Sequence, residues 1–210
     1  EAYFNPTSVA GGLHDTGKPL RCARESLAGL IGCDQEEIVF TSGATESNNW
    51  VLQSVARQSL RNTGKCHILL SSIEHPSVLQ VASYLAETEA GVEVDLAPVG
   101  REGIVDLAVF KSLLRPDTAL VSLMLANNET GVLFPVEQIG QLCRSKGVPY
   151  HCDAVQAVGK LPMKVKDLPI DYLSITGHKI GAPKGIGALY VQKKAPFIPF
   201  VHGGHQERSR

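Results

Sequence analysis

Apolar residues along this chain fall into short runs and helical stripes that take turns. Glu37-Ile-Val-Phe-Thr41, Cys66-His-Ile-Leu-Leu-Ser71, Val92 to Val99, Ala119 to Ala126, Val148-Pro-Tyr-His-Cys152, Tyr172 to Ile175 and Gly187-Ala-Leu-Tyr-Val191 predict strands. The stretch from Ala119 to Ala126 is almost unbroken, as expected of a central strand covered on both faces. Between the runs, Pro19 opens a helix in which Leu20, Ala23, Leu27, Leu30 and Ile31 recur at helical spacing until Gly32. Val51 with Val55 and Leu52 with Ala56 mark a second helix, and Val78, Ala82 and Leu85 a third. Leu107, Phe110 and Leu114 mark a fourth, and Val136, Ile139 and Cys143 a fifth. Strands and helices alternating at this length predict an α/β fold, with a mainly parallel sheet and helices on both faces.

Composition keeps that picture and narrows the partners. With 210 residues, 43% hydrophobic and 20% charged, the chain can bury a sizeable core as one large domain or a domain plus fragment. Twenty Lys and Arg against 21 Asp and Glu give a net charge of −1, with no basic stripe for a nucleic-acid backbone. No apolar run reaches membrane-spanning length, and the first residues lack the sections of a secretory signal, so a cytoplasmic protein is expected. Five cysteines, Cys22, Cys33, Cys66, Cys143 and Cys152, are odd in number and form no Cys-x-x-Cys pair. They predict buried free thiols rather than a disulfide frame or a zinc site.

Candidate chemistry gathers where predicted strands end. Tyr172 to Ile175 breaks into a glycine-rich loop bearing Thr176, His178 and Lys179. In open α/β sheets ligands bind outside the carboxyl ends of strands, which makes this a candidate site. The strand ending at Thr41 runs through Ser42-Gly-Ala-Thr-Glu46 into a helix, and the helix N-terminus with the Thr45 hydroxyl predicts an anion site. Ser71-Ser-Ile-Glu-His75, Asn127-Asn-Glu-Thr-Gly131 and Asp153 follow three further strands. Taken singly, His75 reads equally as a helix cap and Asn128 as a turn residue. Five such clusters at strand ends are more than turn chemistry requires.

The residue types suit one cofactor class. A lysine amine in a partly apolar pocket loses its proton more easily and can form a Schiff base with an aldehyde such as pyridoxal phosphate. That cofactor also needs a carboxylate at its ring nitrogen and donors for its phosphate. Asp153 and the Thr45, Thr176 and His178 groups supply both, and a carboxylate beside the ring nitrogen is expected to have a depressed pKa. A metal-dependent hydrolase built on His151, Asp153, His178, His202 or His205 lacks ligand spacing of the His-Glu-x-x-His kind, so no metal is expected. Gly181-Ala-Pro-Lys-Gly-Ile-Gly187 lacks the Gly-Lys-Ser/Thr ending of a P-loop. A non-catalytic fragment serving as a binding or assembly module is the remaining alternative.

Several motifs together resemble the pyridoxal-phosphate cysteine desulfurases of the NifS and IscS type, within the class V aminotransferases. They are Thr41-Ser-Gly-Ala-Thr-Glu-Ser47, Glu74-His75, Ala126-Asn-Asn-Glu-Thr-Gly131, Asp153-Ala-Val-Gln156, Ser174-Ile-Thr-Gly-His-Lys179 and Gly203-Gly-His-Gln-Glu-Arg208. Leu133-Phe-Pro-Val-Glu137 and the last segment are most similar to the nitrogen-fixation NifS branch, while Asn-Asn-Glu-Thr-Gly is also found in selenocysteine lyases. The resemblance implies that residues 1–210 are the large cofactor-binding domain of a fold type I enzyme. It implies that Lys179 carries the cofactor and shuttles a proton, Asp153 pairs with the pyridinium nitrogen and Gln156 bonds the ring hydroxyl. Ala44, Thr45, Thr176 and His178 would hold the phosphate. His75 would stack on the ring and assist proton transfer, with Asn128 close to cofactor and substrate.

The implied reaction converts L-cysteine to L-alanine and passes the sulfur to an enzyme cysteine as a persulfide for iron–sulfur cluster assembly. A homodimer and an iron–sulfur scaffold protein are the implied partners. The chain begins at Glu1 with Tyr3-Phe-Asn-Pro-Thr-Ser8, without the family's opening strand, and stops near where its Arg-x-Gly-Thr segment would begin. The small C-terminal domain, with the sulfur-accepting cysteine and the substrate-binding arginine, is thus expected to lie outside these residues.

Overall fold

The computed structural model describes residues 17–204 and Glu207. Tyr3 to Ser8 and His205 lie outside the described residues. The elements are α1 (Lys18–Ile31), β1 (Ile38–Thr41), α2 (Ala44–Thr63), β2 (Cys66–Ser71), α3 (Pro76–Thr88), β3 (Val92–Ala97), α4 (Leu107–Leu113), β4 (Thr118–Ser122), α5 (Val136–Lys146), β5 (Tyr150–Asp153), β6 (Tyr172–Thr176) and β7 (Gly187–Val191). They match the alternation read from the sequence, with shorter bounds for β3 and β4.

The strands form one sheet in the order β1-β7-β6-β5-β4-β2-β3. The run from β6 to β3 is parallel, and β7 lies antiparallel between β6 and β1. The antiparallel step follows from connection length, since a short loop joins β6 to β7 whereas a parallel return needs a long crossover. The β5-to-β6 crossover is made of turns and a 3-10 turn at Val165–Asp167.

Alternation within each strand divides the core between two faces. Leu69, Val121, Tyr150, Cys152 and Leu173 pack with Ala28 and Ile31 of α1, Phe110 of α4, and Ile139 and Cys143 of α5. Ile68, Leu70, Leu120, Tyr172 and Leu189 pack with Val51, Leu52 and Val55 of α2 and Val78, Ala82 and Leu85 of α3. Helices therefore cover both faces, and β4 is buried on each, as its apolar run requires. Beyond Ser122 the chain stays beside β5, with Leu123 N–H donating to His151 O and Leu125 N–H to Asp153 O.

Two expectations of burial are corrected. In α1 the buried face carries Arg24, Ala28 and Ile31, while Leu20 and Leu30 are exposed. The guanidinium of Arg24 explains the rotation: it donates to Ile38 O, pairs with Glu207 at 2.7 Å and lies 4.7 Å from the Phe40 ring centre. Among the thiols, Cys66, Cys143 and Cys152 are buried, but Cys22 is exposed and Cys33 half-buried. Gly32 ends α1 with φ 69°, a conformation that favours glycine. Among the described residues no helix is long and apolar enough to cross a membrane.

One buried polar group ties the central strands together. His151 of β5 is fully buried, its Nδ1 2.7 Å from Ser122 Oγ of β4 and its Nε2 2.9 Å from Ser174 Oγ of β6. Burial pushes its pKa from 6.5 down to about 3, so the ring is neutral in the folded protein. Between those pH values the unfolded chain binds a proton that the folded one does not. The contribution is therefore complete above the unfolded value of 6.5 and declines as pH falls toward about 3. Chemical denaturation of wild type and His151→Gln should give a stability difference that shrinks by about 1.4 kcal/mol per pH unit below 6.5. A difference independent of pH would mean that the imidazole is charged in the native state.

Candidate active site

The carboxyl ends of β1, β2, β4, β5 and β6 open onto one cavity of about 620 Å³, a size suited to a small molecule. Ala44 and Thr45 reach it from the start of α2, His75 from the end of β2, and Asn128 from beyond β4. Asp153 and Gln156 come from β5, and Thr176, His178 and Lys179 from β6. All nine residues singled out in the sequence thus meet in one place. The reason is topological, because strands running the same way deliver their following loops to the same edge of the sheet.

The anion-binding end is shaped by close backbone packing. Thr41, Gly187 and Thr176 stand level with one another across β1, β7 and β6. A Cβ added to Gly187 would lie 2.5 Å from Gly43 Cα, so only glycine lets β7 begin beneath the turn into α2. Glu46 reaches back to that turn, its Oε2 accepting from Ser42 N at 2.7 Å and Ser42 Oγ at 2.6 Å. The amides at the helix start, with Thr45 and with Thr176 Oγ1 at 3.1 Å from His178 Nδ1, form a donor set suited to a phosphate.

The acidic side is unusual in its charge state. Asp153 is 7% exposed; its Oδ2 accepts from Asn48 Nδ2 at 2.9 Å and its Oδ1 from Val155 N at 3.0 Å. Burial nevertheless raises its pKa, outweighing those two bonds and the attraction of His75. The depressed value expected from the sequence is that of a carboxylate beside a protonated ring nitrogen, a different condition from this one. Behind it, Glu74 is pushed up to about 8 by burial, against hydrogen bonds from Ser71 and from Met124 N–H at 3.0 Å, while Asp153 adds to the rise. Its Oε2 is buried with no hydrogen-bond partner among the described residues. Glu74 therefore keeps its proton at neutral pH.

The remaining candidates are placed less tightly. Lys179 is exposed at the mouth of the cavity rather than enclosed by apolar groups. Asn128 is exposed and donates to Glu129 Oε1 at 2.9 Å, and the half-buried Gln156 accepts from Lys160 Nζ at 2.9 Å. His75 both lines the cavity and caps α3, its side chain accepting from Ser77 N. Among the described residues no cluster of three or more His, Cys, Asp or Glu side chains is arranged to hold a metal ion.

Sequence reasoning missed several contributors. Asn48 and Ser77 link Asp153 to His75, and Lys184 and Gly185 add a further stretch of wall. The signal for Asn48 was present, as a polar residue one turn before Val51 and Leu52 on the apolar face of α2. Ser77 carries no such signal, since a serine in the first turn of a helix is ordinary.

The cavity invites comparison with known proteins. A cysteine desulfurase of Nostoc sp. (strain PCC 7120 / SAG 25.82 / UTEX 2576) is 47% identical over 208 residues, covering 99% of this chain and 51% of that protein. A solved NifS-like protein superposes with a TM-score of 0.92 at 40% identity, over 99% of this chain and 56% of that one. SspA in complex with cysteine superposes with a TM-score of 0.88 at 38% identity, over 99% and 59%. The chain spans about half the length of the curated relatives it matches. The family model for class V aminotransferases matches residues 3–209, and the chain belongs to that family.

Proposed function

We propose that residues 1–210 form the pyridoxal-phosphate-binding large domain of a cysteine desulfurase. The observation that carries this reading is the meeting, in one cavity, of an anion-binding helix start, a buried carboxyl and a lysine, each delivered by a different strand end. That donor set fits the cofactor at each of its three polar points, and Asp153, raised by burial, gains most from a cationic N–H partner. The likeness to SspA in complex with cysteine supports L-cysteine as substrate. A homodimer, a cytoplasmic location and delivery of sulfur to an iron–sulfur scaffold belong to the same reading.

When bound, pyridoxal phosphate supplies an electron sink that eases removal of a proton from the α-carbon of an amino acid. The chain's residues would hold it. Backbone amides at Ala44 and Thr45 and the side chains of Thr45, Thr176 and His178 anchor the phosphate. Asp153 would hold a proton on the ring nitrogen, Gln156 would bond the ring hydroxyl, and Lys179 would attach the cofactor and move the α-proton.

The chain's five cysteines are poorly placed to accept sulfur from a molecule in the cavity. None lines the cavity. Burial raises Cys33 and Cys143 to about 12 and Cys66 to about 11, and pushes Cys152 well above its ordinary value, which starves each of thiolate.

Three outcomes are expected. Borohydride should fix the cofactor to the peptide carrying Lys179, and a label on Lys160 or Lys184 would refute the assignment. Asp153→Asn should weaken cofactor binding by about 10- to 100-fold, the value of one charged hydrogen bond at about 1.5–3 kcal/mol; titration of the variant with an unchanged Kd would remove Asp153 from its role. Incubated with cofactor and L-cysteine, the 210-residue chain should carry no persulfide on Cys22, Cys33, Cys66, Cys143 or Cys152, as read by mass spectrometry of alkylated peptides. A stoichiometric persulfide on any of them would make that thiol the acceptor.

A further inference from the structure

Asp153 and His75 are joined through two side chains that line up as a donor relay. Asn48 is fully buried and turns its Nδ2 group to two oxygens, Asp153 Oδ2 at 2.9 Å and Ser77 Oγ at 2.8 Å. A hydroxyl has one hydrogen. Ser77 Oγ accepts from Asn48 and lies 2.8 Å from His75 Nδ1, to which its hydrogen can be given if that nitrogen is bare. The backbone N–H of Ser77 donates to the same Nδ1 at 3.1 Å. Two donors converge on Nδ1, and only an unprotonated ring nitrogen accepts them. The hydrogen of the neutral ring is therefore on Nε2.

We propose that Asn48 and Ser77 are positioning residues that hold His75 as its Nε2–H tautomer, so that His75 presents a hydrogen-bond donor, not a proton-accepting base, to a molecule in the cavity. A proton added at Nδ1 would displace both Ser77 donors and with them the cap of α3. His75 meets an acceptor atom of cofactor or substrate and steadies it. The identity of that molecule rests on the desulfurase reading, whereas the tautomer does not.

The test separates the two. The full 210-residue chain, labelled with 15N and without added cofactor, is examined by two-bond 1H–15N correlation of its imidazoles at a pH where the rings are neutral, with His75→Gln used to assign the His75 signals. Wild type should show one form, protonated at Nε2 and bare at Nδ1. Ser77→Ala removes the hydroxyl donor and leaves Asn48 without its second acceptor, so signals of the Nδ1–H form should appear. Ser77→Thr, which restores a hydroxyl, should return the spectrum to one form. A wild-type ring protonated at Nδ1, or a Ser77→Ala spectrum identical to wild type, overturns the proposal. A wild-type tautomer as expected, in a chain whose Lys179 is not labelled by cofactor and borohydride, would leave this inference standing and sink the proposed function.

Discussion

The burial of Asp153 is the constraint on which the site depends. A carboxyl at the end of a central strand, covered by helices on both faces, loses water that two hydrogen bonds do not replace. One of the two donors is Asn48, so α2 must present its first turns to β5, and the same helix then aims its N-terminus at the cavity. Asn48 also bonds Ser77 in α3, which fixes how the β2 loop carries His75. The turn into α2, the acid and the histidine are thus placed by contacts around one buried group. A site arranged this way is preorganised, because its parts cannot shift independently of the sheet.

Charge bookkeeping in the core explains why the arrangement is tolerated. Glu74, His151 and Asp153 are all buried and ionisable, yet burial opposes charge in each. Glu74 keeps its proton and His151 stays neutral, and at Asp153 burial likewise works against the charged form. Their pH dependences oppose each other. Glu74 weakens the fold as pH rises from 4.5 to about 8, and His151 weakens it as pH falls from 6.5 to about 3.

The sequence made much of this legible, for physical reasons that can be named. Strands buried on both faces read as apolar runs, and helices covering them read as stripes, so β2, β6 and α2, α3, α5 stand near their expected places, while β4 is shorter than its apolar run. Five polar clusters at strand ends located the cavity because a parallel sheet sends them all to one edge. Less visible was anything set by partners distant in sequence. Arg24 turned the buried face of α1 because of Ile38, Phe40 and Glu207, and no periodicity within the helix shows that. The raised pKa of Asp153 likewise depends on how completely α2 and β5 exclude water.

Glycine at 187 shows the same logic at the other end of the cavity. Its missing Cβ has nothing to do with its own turn; the space is taken by Gly43 Cα, contributed by another strand's loop. Two glycines far apart in sequence therefore act as one feature, permitting β7 to pass close enough for Thr41 and Thr176 to stand on either side of it. A larger residue at 187 would push the turn into α2 outward, and the helix start would no longer face the same space as Asp153. The antiparallel β7, the one described strand that departs from the parallel pattern, is in this way what brings the turn into α2 and the end of β6 together.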